Sequence, residues 1–280
     1  MIRFLAAALL LLSTSLAAAQ DVVHFPSLGT DLALDGYLFR APGPGRHPAL
    51  VFMHGCGGMF TRARAIDPRL RDWANIFTAS GKSVVMVDSF GPRGVTNMCA
   101  PKTYESAVAE ARPADAYGAL LYLQAQDFVL PDRVGLIGWS QGGGVVLRTV
   151  RGPGSPRPAA LPGGDFRAAA AFYPGSCNPQ TLRAPWDPQI PLLILTGAKD
   201  VWTPIAPCQA LADGARARGD KVEIITYPDA VHDFDAPYMQ VREFPQYRTS
   251  AGVVPILGTD PAARADAQQR LPAFFAEYLR

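Results

Sequence analysis

Apolar residues along this chain follow two alternating patterns. Short continuous apolar runs, such as residues 49–53 and 84–87, predict strands that are buried on both faces. Between such runs lie longer stretches, such as residues 107–124, whose apolar side chains recur at helical spacing. Strands that alternate with helices predict an α/β fold, with a mainly parallel sheet covered by helices on both faces.

The alternation continues to the end of the chain and predicts a single domain over residues 20–280. Residues 152–164 are rich in glycine and proline and could form a linker, but the alternation resumes after them, so we interpret them as a surface loop. The irregular, aromatic residues 234–259 are expected near the carboxyl ends of the strands. The predicted strands cover residues 32–39, 49–53, 84–87, 134–137, 168–173, 192–195 and 222–227, and the predicted helices cover residues 69–79, 107–124, 141–150, 205–218 and 261–279.

The first 19 residues have a different pattern. Arg3 precedes an apolar run over residues 4–12, and small residues at 17–19 end the segment. A positive start, a short apolar run and small residues are typical of a cleaved signal peptide. The alternative is a membrane anchor, but the run is shorter than the roughly 20 residues that a bilayer needs. We therefore expect cleavage after Ala19 and an exported protein, periplasmic or secreted, with no membrane attachment after cleavage.

Composition and charge exclude several classes of protein. The 280 residues are 49% hydrophobic, which argues against a disordered chain. Lys and Arg number 26 against 24 Asp and Glu, so the net charge is +2. A balance of this kind favours neither nucleic acid nor an anionic membrane as a partner.

Four cysteines, Cys56, Cys99, Cys177 and Cys208, follow the expected leader. In an oxidising compartment an even number of cysteines predicts disulfides, and four cysteines allow three pairings. The sequence contains no C-x-x-C pair and no cysteine–histidine group at zinc-ligand spacing, so we expect no metal site.

The clearest chemical signal is the G-x-S-x-G motif at residues 138–142. It follows a predicted strand and precedes a predicted helix, which is the context of a nucleophile turn. Such a turn raises the Ser140 hydroxyl above the sheet edge. It also puts the backbone N–H of Gln141 at a helix N-terminus, where it can stabilise an oxyanion. A chance occurrence in a glycine-rich chain is the alternative, and this context argues against it.

Two further side chains complete the chain order Ser, acid, His. Asp200 follows the strand predicted over residues 192–195, and His232 follows the strand predicted over residues 222–227. The carboxyl ends of parallel strands meet at one edge of a sheet. We therefore predict that His232 takes the proton of Ser140 and that Asp200 orients the imidazole. The alternatives, an exposed loop carboxylate and a turn histidine, do not explain this order.

The other histidines, His24, His47 and His54, are weaker candidates for catalysis. His54 ends a strand and begins the loop that supplies the second oxyanion N–H in such folds. We assign that donor to the Cys56 backbone, with Gly57 as the alternative, and expect His54 to pack and form hydrogen bonds within the loop. A nucleophilic Cys56 is another alternative, but the sequence places no general base for it.

Five motifs together resemble the dienelactone hydrolase family of α/β-hydrolases. They begin at His54, Asp88, Gly138, Gly197 and His232 and read HGCGG, DSFGPRG, GWSQGG, GAKD and HDF. The resemblance covers about residues 28–280. It implies the α/β-hydrolase fold, with an eight-stranded, mainly parallel sheet and no large cap domain, and a Ser140–Asp200–His232 triad.

The resemblance is to a serine-nucleophile variant, because founding members carry a cysteine where this chain has Ser140. Those members hold a substrate carboxylate with two arginines, and here Arg93 can match the first while Ala236 stands at the second. Arg93 could grip a carboxylate or brace its own loop. The departures favour a serine esterase or related acyl hydrolase over a true dienelactone hydrolase. We expect Trp139 and Trp202 to contact substrate together with Arg93.

The resemblance also implies a pairing of the cysteines. Cys56 and Cys99 follow strands that are neighbours in this fold, and the same holds for the strands before Cys177 and Cys208. The expected disulfides are therefore Cys56–Cys99 and Cys177–Cys208, each bracing a loop that carries parts of the site.

The resulting prediction is an exported serine hydrolase that cleaves small-molecule carboxylic esters or lactones through an acyl-enzyme and uses no cofactor. Two alternatives stay open: a peptide or amide hydrolase on the same triad, and a non-catalytic exported binding protein with the same fold. The sequence leaves the oligomeric state open.

Overall fold

A computed structural model describes residues 20–152, 154–182 and 186–280. The expected signal peptide, residues 1–19, lies outside the described residues. An eight-stranded sheet forms the centre of the described chain. Its strands are β1 (Gln20–Pro26), β2 (Ala33–Phe39), β3 (His47–Met53), β4 (Ser83–Asp88), β5 (Val129–Trp139), β6 (Ala168–Phe172), β7 (Leu192–Gly197) and β8 (Val222–Tyr227).

The order of strands in the sheet is β1-β2-β4-β3-β5-β6-β7-β8. Strand β2 pairs antiparallel with β1 and with β4, and the other neighbouring strands pair in parallel. The sheet is therefore mainly parallel, which confirms the predicted fold class.

Helices connect the strands, and a short antiparallel hairpin precedes the last helix. They are α1 (Pro68–Ala79), α2 (Ser106–Gln124), α3 (Gln141–Thr149), α4 (Pro179–Leu182), α5 (Ile205–Ala217) and α6 (Pro261–Tyr278), and the hairpin comprises β9 (Arg242–Glu243) and β10 (Ile256–Leu257). Across the described ranges, no helix has the length and apolar character needed to cross a membrane. No large cap domain interrupts the described part of the chain.

The core lies in two layers, one on each face of the sheet. Successive residues of a strand point to opposite faces, so a continuous apolar strand contributes to both layers. In β3, Val51 belongs to the layer formed with α2, α3 and α5, whereas Phe52 belongs to the layer formed with α1 and α6. Both side chains are buried, as the uninterrupted apolar run predicted.

Sequence reasoning missed β1, the strand at one edge of the sheet. Five of its residues are exposed, one is half-buried and Phe25 is buried. An edge strand pairs on one side and is partly exposed, so it needs no continuous apolar run. The hairpin of β9 and β10 was also missed, because it has only two residues in each strand.

Two disulfides fasten loops at the carboxyl end of the sheet. Cys56–Cys99 joins the loop after β3 to the loop after β4, and Cys177–Cys208 joins the loop after β6 to α5. The Cα atoms are 4.9 Å apart in each pair. This is the pairing that the family resemblance implied.

Candidate active site

Three parallel strands bring the predicted nucleophile, acid and base to one edge of the sheet. Ser140 follows β5 directly, Asp200 follows β7, and His232 lies in the loop after β8. Because β5, β7 and β8 all run in the same direction, their following loops emerge at the same edge.

Ser140 stands on a tight turn between β5 and α3. Its backbone has φ 53° and ψ −114°, and a positive φ is uncommon for a residue with a side chain. A Cβ atom on Gly138 would lie 2.1 Å from the carbonyl oxygen of Gly142, and one on Gly142 would lie 2.1 Å from that of Met53. The two glycines of the motif therefore allow β3, β5 and α3 to approach one another at the nucleophile.

The three predicted triad side chains form a continuous line of hydrogen bonds. His232 Nε2 lies 2.9 Å from Ser140 Oγ, and His232 Nδ1 lies 2.7 Å from Asp200 Oδ2. Because a carboxylate only accepts, Nδ1 carries the proton and donates it to Asp200, while Nε2 accepts from the serine hydroxyl. This arrangement prepares Ser140 to lose its proton to His232.

Asp200 is held by donors that sequence reasoning missed. The backbone N–H groups of Trp202 and Thr203 donate to Oδ1 at 2.9 Å, and the Thr203 hydroxyl donates to Oδ2 at 2.8 Å. Burial opposes the charged carboxylate, but His232 and these donors outweigh it, so the pKa of Asp200 lies below its ordinary value. Asp200 is therefore ionised beside His232 at neutral pH.

His232 is a buried base with a strengthened affinity for a proton. Burial by itself lowers its pKa, but the Asp200 carboxylate, and beyond it Asp233, raise the pKa above the ordinary value. The rings of Tyr173 and Trp202 pack against the imidazole, with centroid distances of 4.4 Å and 4.9 Å. These rings fix the orientation of the histidine.

The loop after β3 is distant from Ser140 in sequence but lies beside it in the fold. This loop contains Cys56, the predicted second oxyanion donor. A Cβ atom on Gly55 would lie 3.6 Å from Ser140 Cβ. The carbonyl of Cys56 accepts from the Met98 N–H at 2.8 Å, which fixes the peptide. Within the described residues, the backbone N–H groups of Cys56 and Gln141 donate to no protein acceptor. Both are therefore candidates for the oxyanion donors that the sequence predicts.

Arg112 of α2 is a buried residue of this region that sequence reasoning missed. Its guanidinium donates to the His54 carbonyl at 2.5 Å and to the Gln141 side-chain oxygen at 2.7 Å. The side chain is 0% exposed, and burial lowers the pKa of Arg112 to about 9, with Asp115 acting in the opposite direction. It is still charged at neutral pH. The available signal was an arginine in a helix whose neighbours are mostly apolar.

His54 packs within the loop after β3, as predicted. Its Nδ1–H donates to the Gly55 carbonyl at 2.8 Å, and its Nε2 accepts from the Ser89 N–H at 3.3 Å. Burial, and then the charge of Arg112, lower the pKa of His54 well below its ordinary value. His54 is therefore a neutral structural histidine.

Arg93, expected either to bind a substrate carboxylate or to brace its own loop, contacts a carboxylate of the protein itself. Its guanidinium makes a two-point contact with the buried Asp115 at 2.8 Å and 2.9 Å, and it also donates to the Ser89 carbonyl at 2.7 Å. These contacts tie the loop after β4 to α2. Of the two roles considered for Arg93, the structure therefore favours bracing its loop, because Asp115 already occupies the guanidinium.

The side chain of Trp139 lies in the core, so the prediction that it contacts substrate is wrong. It is 0% exposed and packs between Phe52 and Phe172, with ring centroids 5.0 Å and 5.5 Å away. Its position in β5 points it into the core beneath Ser140. Trp202, by contrast, is half-buried beside His232 and stacks on Tyr247, and its substrate contact stays a prediction.

A buried polar network lies behind the histidine and was also missed. One carboxylate, Asp235, accepts from the Tyr173 hydroxyl at 2.6 Å and from the indole N–H groups of Trp73 and Trp139 at 2.8 Å each. Arg69 donates to Tyr173 at 2.8 Å and forms an ion pair with Asp233. The network therefore joins the residue before Ser140 to the loop that carries His232.

The pKa values of the two carboxylates in this network shift in opposite directions. Burial raises the pKa of Asp235 above its ordinary value despite its donors. Burial also opposes ionisation of Asp233, but the Arg69 guanidinium outweighs it and lowers the pKa of Asp233. Asp233 is therefore the carboxylate that balances the charge of Arg69.

The assembled groups can perform acyl transfer by covalent catalysis. They comprise a hydroxyl nucleophile, a base, a carboxylate that orients the base, and two free N–H donors. In residues 20–152, 154–182 and 186–280, no group of three or more His, Cys, Asp or Glu side chains is arranged to hold a metal ion.

Comparison with known families gives one match over most of the chain. The model of the dienelactone hydrolase family matches residues 34–279. Two curated relatives, from Salmonella typhimurium strain LT2 and Escherichia coli K12, are provisionally named carboxymethylenebutenolidase. Each is 29% identical over 120 residues, which is 40% of this chain and 38% of the relative. The chain thus aligns with about two fifths of the length of these relatives.

Solved structures with this fold include two described as hydrolases. A dienelactone hydrolase-like promiscuous phosphotriesterase from metagenomic libraries has a TM-score of 0.69 at 18% identity, covering 94% of this chain and 100% of that one. Thermogutta terrifontis esterase 2, phosphonylated by cyclosarin, has a TM-score of 0.62 at 19% identity, covering 93% and 94%. At this level of identity the likeness shows the fold alone.

Proposed function

The chain belongs to the dienelactone hydrolase family of α/β-hydrolases, and from that premise we propose that it is a serine hydrolase of carboxylic esters or lactones. The observation that carries the proposal is the line of hydrogen bonds from Ser140 through His232 to Asp200, with distances of 2.9 Å and 2.7 Å. A binding protein needs no such line.

In the first step, Ser140 Oγ attacks the ester carbonyl and His232 Nε2 takes its proton. The charge that develops on the carbonyl oxygen is stabilised by the N–H groups of Cys56 and Gln141. Asp200 stabilises the imidazolium that forms. The protonated His232 then donates its proton to the leaving alcohol, and the acyl group stays on Ser140.

In the second step, water enters in place of the alcohol. His232 accepts a proton from this water, which attacks the acyl-enzyme, and the same two N–H groups stabilise the second tetrahedral intermediate. Proton return from His232 to Ser140 releases the carboxylic acid. No step of this cycle needs a cofactor.

The proposed substrates are small neutral esters rather than carboxylate-bearing ones. Asp115 occupies the Arg93 guanidinium, and Ala236 stands where the resemblance places a second arginine. Neither position therefore supplies a free cation for a substrate carboxylate. Trp202, half-buried against His232, supplies an apolar surface for the part of an ester nearest the base.

The test is the variant Ser140→Ala. We expect kcat for short p-nitrophenyl esters to fall by roughly 10⁴–10⁶-fold, as when a serine nucleophile is removed from other triads. The melting temperature should stay near that of the wild type, because the change removes one part-buried hydrogen bond, between Ser140 Oγ and His232. Wild-type activity in the purified variant would refute the assignment.

A fluorophosphonate probe separates this proposal from a non-catalytic binding protein. The probe should label the wild type at Ser140 and leave Ser140→Ala unlabelled, as detected by mass spectrometry of the digested protein. An ester panel beside aminoacyl amides separates the remaining alternative, a peptide or amide hydrolase. We expect turnover of the esters to exceed that of the amides.

We also propose that the protein is exported and works as one domain over residues 20–280. The two disulfides support this, because such bonds persist in oxidising compartments. Expression of the full chain in a bacterium should yield an exported protein whose N-terminal sequence begins at Gln20. An uncleaved protein retained in the cytosol would contradict export.

A further inference from the structure

Arg112 carries a buried positive charge that no carboxylate contacts within the described chain. Its terminal nitrogens donate to the neutral oxygens of His54 and Gln141, and its Nε has no partner among the described residues. Asp115, one turn along the same helix, is already engaged by Arg93 at two points. Burial of a cation without a contacting carboxylate is unfavourable, because it removes the hydration of the charge.

Both acceptors of Arg112 belong to the segments that carry the proposed oxyanion donors. His54 lies two residues before Cys56, and Gln141 supplies the other N–H. The His54 carbonyl also packs against α3, since a Cβ atom on Gly142 would lie 2.6 Å from its oxygen. One guanidinium therefore spans the two backbone segments that meet beside the nucleophile.

Charged groups that do not contact Arg112 also act on it. The carboxylates of Asp115 and Asp88 attract it, whereas Arg93 and Arg148 repel it. The tetrahedral intermediate of acyl transfer carries one negative charge at the neighbouring donors.

We propose that Arg112 is a positioning residue of the oxyanion hole. It holds the two donor segments together, and its charge is balanced by the oxyanion formed during the reaction. An interaction that strengthens only as the negative charge develops lowers the barrier and leaves ground-state binding almost unchanged. This inference rests on the proposed ester hydrolysis at Ser140 and adds a residue outside the triad.

The central test is Arg112→Met, which keeps the apolar stem and removes the charged fork. We expect kcat to fall by about 10–100-fold, somewhat less than the loss of a direct oxyanion donor. KM should change by less than about 3-fold, because the uncharged ground state makes no use of the charge. Titration with the fluorophosphonate probe counts the competent sites, so a misfolded fraction does not enter kcat.

The second readout is the affinity for phenylboronic acid, which binds a serine nucleophile as an anionic tetrahedral adduct. Its inhibition constant should rise in Arg112→Met by a factor close to the loss in kcat/KM. Arg112→Lys keeps the charge without the fork and should recover part of both losses. A purely structural role would alter the melting temperature and leave the boronate affinity per competent site unchanged.

Arg148→Met is the matched control. Arg148 lies on α3, donates to the Ala109 carbonyl of α2 at 2.7 Å, and likewise has an Nε without a partner among the described residues. It is a largely buried arginine between the same two helices, but it contacts neither donor segment. We expect a lower melting temperature with kcat and boronate affinity within about 2-fold of the wild type, since its contacts are structural.

Gln141→Leu keeps the inference testable if Arg112→Met does not fold. It removes one acceptor of Arg112 and retains the backbone N–H, so kcat and boronate affinity should fall together by roughly 3–10-fold, since one charge-assisted hydrogen bond is lost. Unchanged kcat and boronate affinity in Arg112→Met, or in Gln141→Leu where the former is unfolded, overturn the inference. If the wild type is not labelled at Ser140, the proposed function itself has failed.

Discussion

Beside His232, Asp233 pairs with the guanidinium of Arg69, and the buried Asp235 accepts from neutral donors. Beside the proposed oxyanion donors, the buried guanidinium of Arg112 donates to two neutral oxygens and lies over the Phe90 ring. The two regions are largely shielded from solvent, since Asp235 and Arg112 are buried and the side chains of Arg69 and Asp233 are 12% and 16% exposed. They differ in whether a carboxylate contacts the guanidinium directly. Arg69 has Asp233 as its ion-pair partner, and Arg112 has no such contact within the described residues.

The difference assigns separate tasks to the two regions. A network whose charges are already paired with opposite charges in the free protein contributes to the stability and geometry of that state. A charge that gains an opposite charge only when the oxyanion forms stabilises the transition state and so lowers the activation barrier. Removal of a charged group should therefore mainly lower stability on the histidine side and mainly lower kcat on the oxyanion side.

The largest effect on stability is expected from Asp235→Asn. The amide keeps the size of the carboxylate, but one of its two acceptor oxygens is replaced by an NH2 donor. That donor faces either the Tyr173 hydroxyl or the two indole N–H groups, which are themselves donors. We expect the free energy of unfolding to fall by about 3–5 kcal/mol, because hydrogen bonds to a charged acceptor contribute about 1.5–3 kcal/mol each and three of them are weakened or lost. Urea denaturation followed by tryptophan fluorescence measures this loss.

The same variant provides the contrast with Arg112→Met. Its kcat per competent site should fall by less than about 10-fold, because Asp235 contacts neither the nucleophile nor the donors directly. Asp229→Asn is the control, since Asp229 pairs with Lys199 on the surface and such pairs contribute little. A large loss of kcat with full stability in Asp235→Asn would remove the distinction between the two regions.

The two disulfides sharpen the comparison, because they close chain segments of similar length on different sides of the site. Cys56–Cys99 spans 43 residues and Cys177–Cys208 spans 31. Replacement of either pair by serines should lower the free energy of unfolding by roughly 2–4 kcal/mol. Loss of Cys56–Cys99 should also lower kcat by a few-fold, since it frees the loop that carries an oxyanion donor.

Ester kinetics at a temperature where both double variants are folded distinguish the two disulfides. Loss of Cys177–Cys208 should leave kcat near the wild-type value. Equal losses of kcat in the two double variants would indicate that neither disulfide acts on the oxyanion side in particular.

The smallest effect is a shift in pH dependence in Asp233→Asn. Burial lowers the pKa of His232, Asp200 and Asp233 raise it, and Arg69 lowers it. His232 must be neutral to accept the serine proton, so the acid limb of kcat/KM follows its pKa. Without the charge of Asp233 this pKa falls, and the acid limb should move to lower pH.

The same substitution should change how stability depends on pH. The folded-state pKa of Asp233 is depressed, so its contribution to stability is present above the unfolded pKa and is lost as the pH falls through the folded value. Asp233→Asn should therefore destabilise the protein at neutral pH and have less effect in acid. An acid limb that stays in place would show that Asp233 does not act on His232.

Much of the fold and the candidate triad could be predicted from local sequence. Apolar runs and, for residues 32–39, an alternating pattern identified seven of the eight strands. A strand buried on both faces, such as β4, has no exposed position, so its apolar run is uninterrupted. Ser140 was found because its turn needs glycines at fixed offsets. Asp200 and His232 were found because each follows a strand whose carboxyl end lies at the same edge.

Side chains whose role depends on a distant partner were not predictable in this way. Trp139 adjoins the nucleophile in sequence, yet its indole packs in the core and donates to Asp235, 96 residues away. Arg93 matched a motif, but its partner Asp115 lies on a helix 22 residues further on. Adjacency in a motif says little about which way a side chain points.

The sequence by itself determined the succession of strands and helices along the chain, the turn at Ser140 and the candidates for the acid and the base. Each depends on backbone constraints that a few neighbouring residues encode. Only the tertiary structure decided which charges are matched. Arg69 and Arg112 are both arginines of helices, but packing places a carboxylate against the first and neutral oxygens against the second. Whether a charge is paired depends on the folded structure, because burial sets the strength of its electrostatic interactions and the fold determines which groups lie next to it.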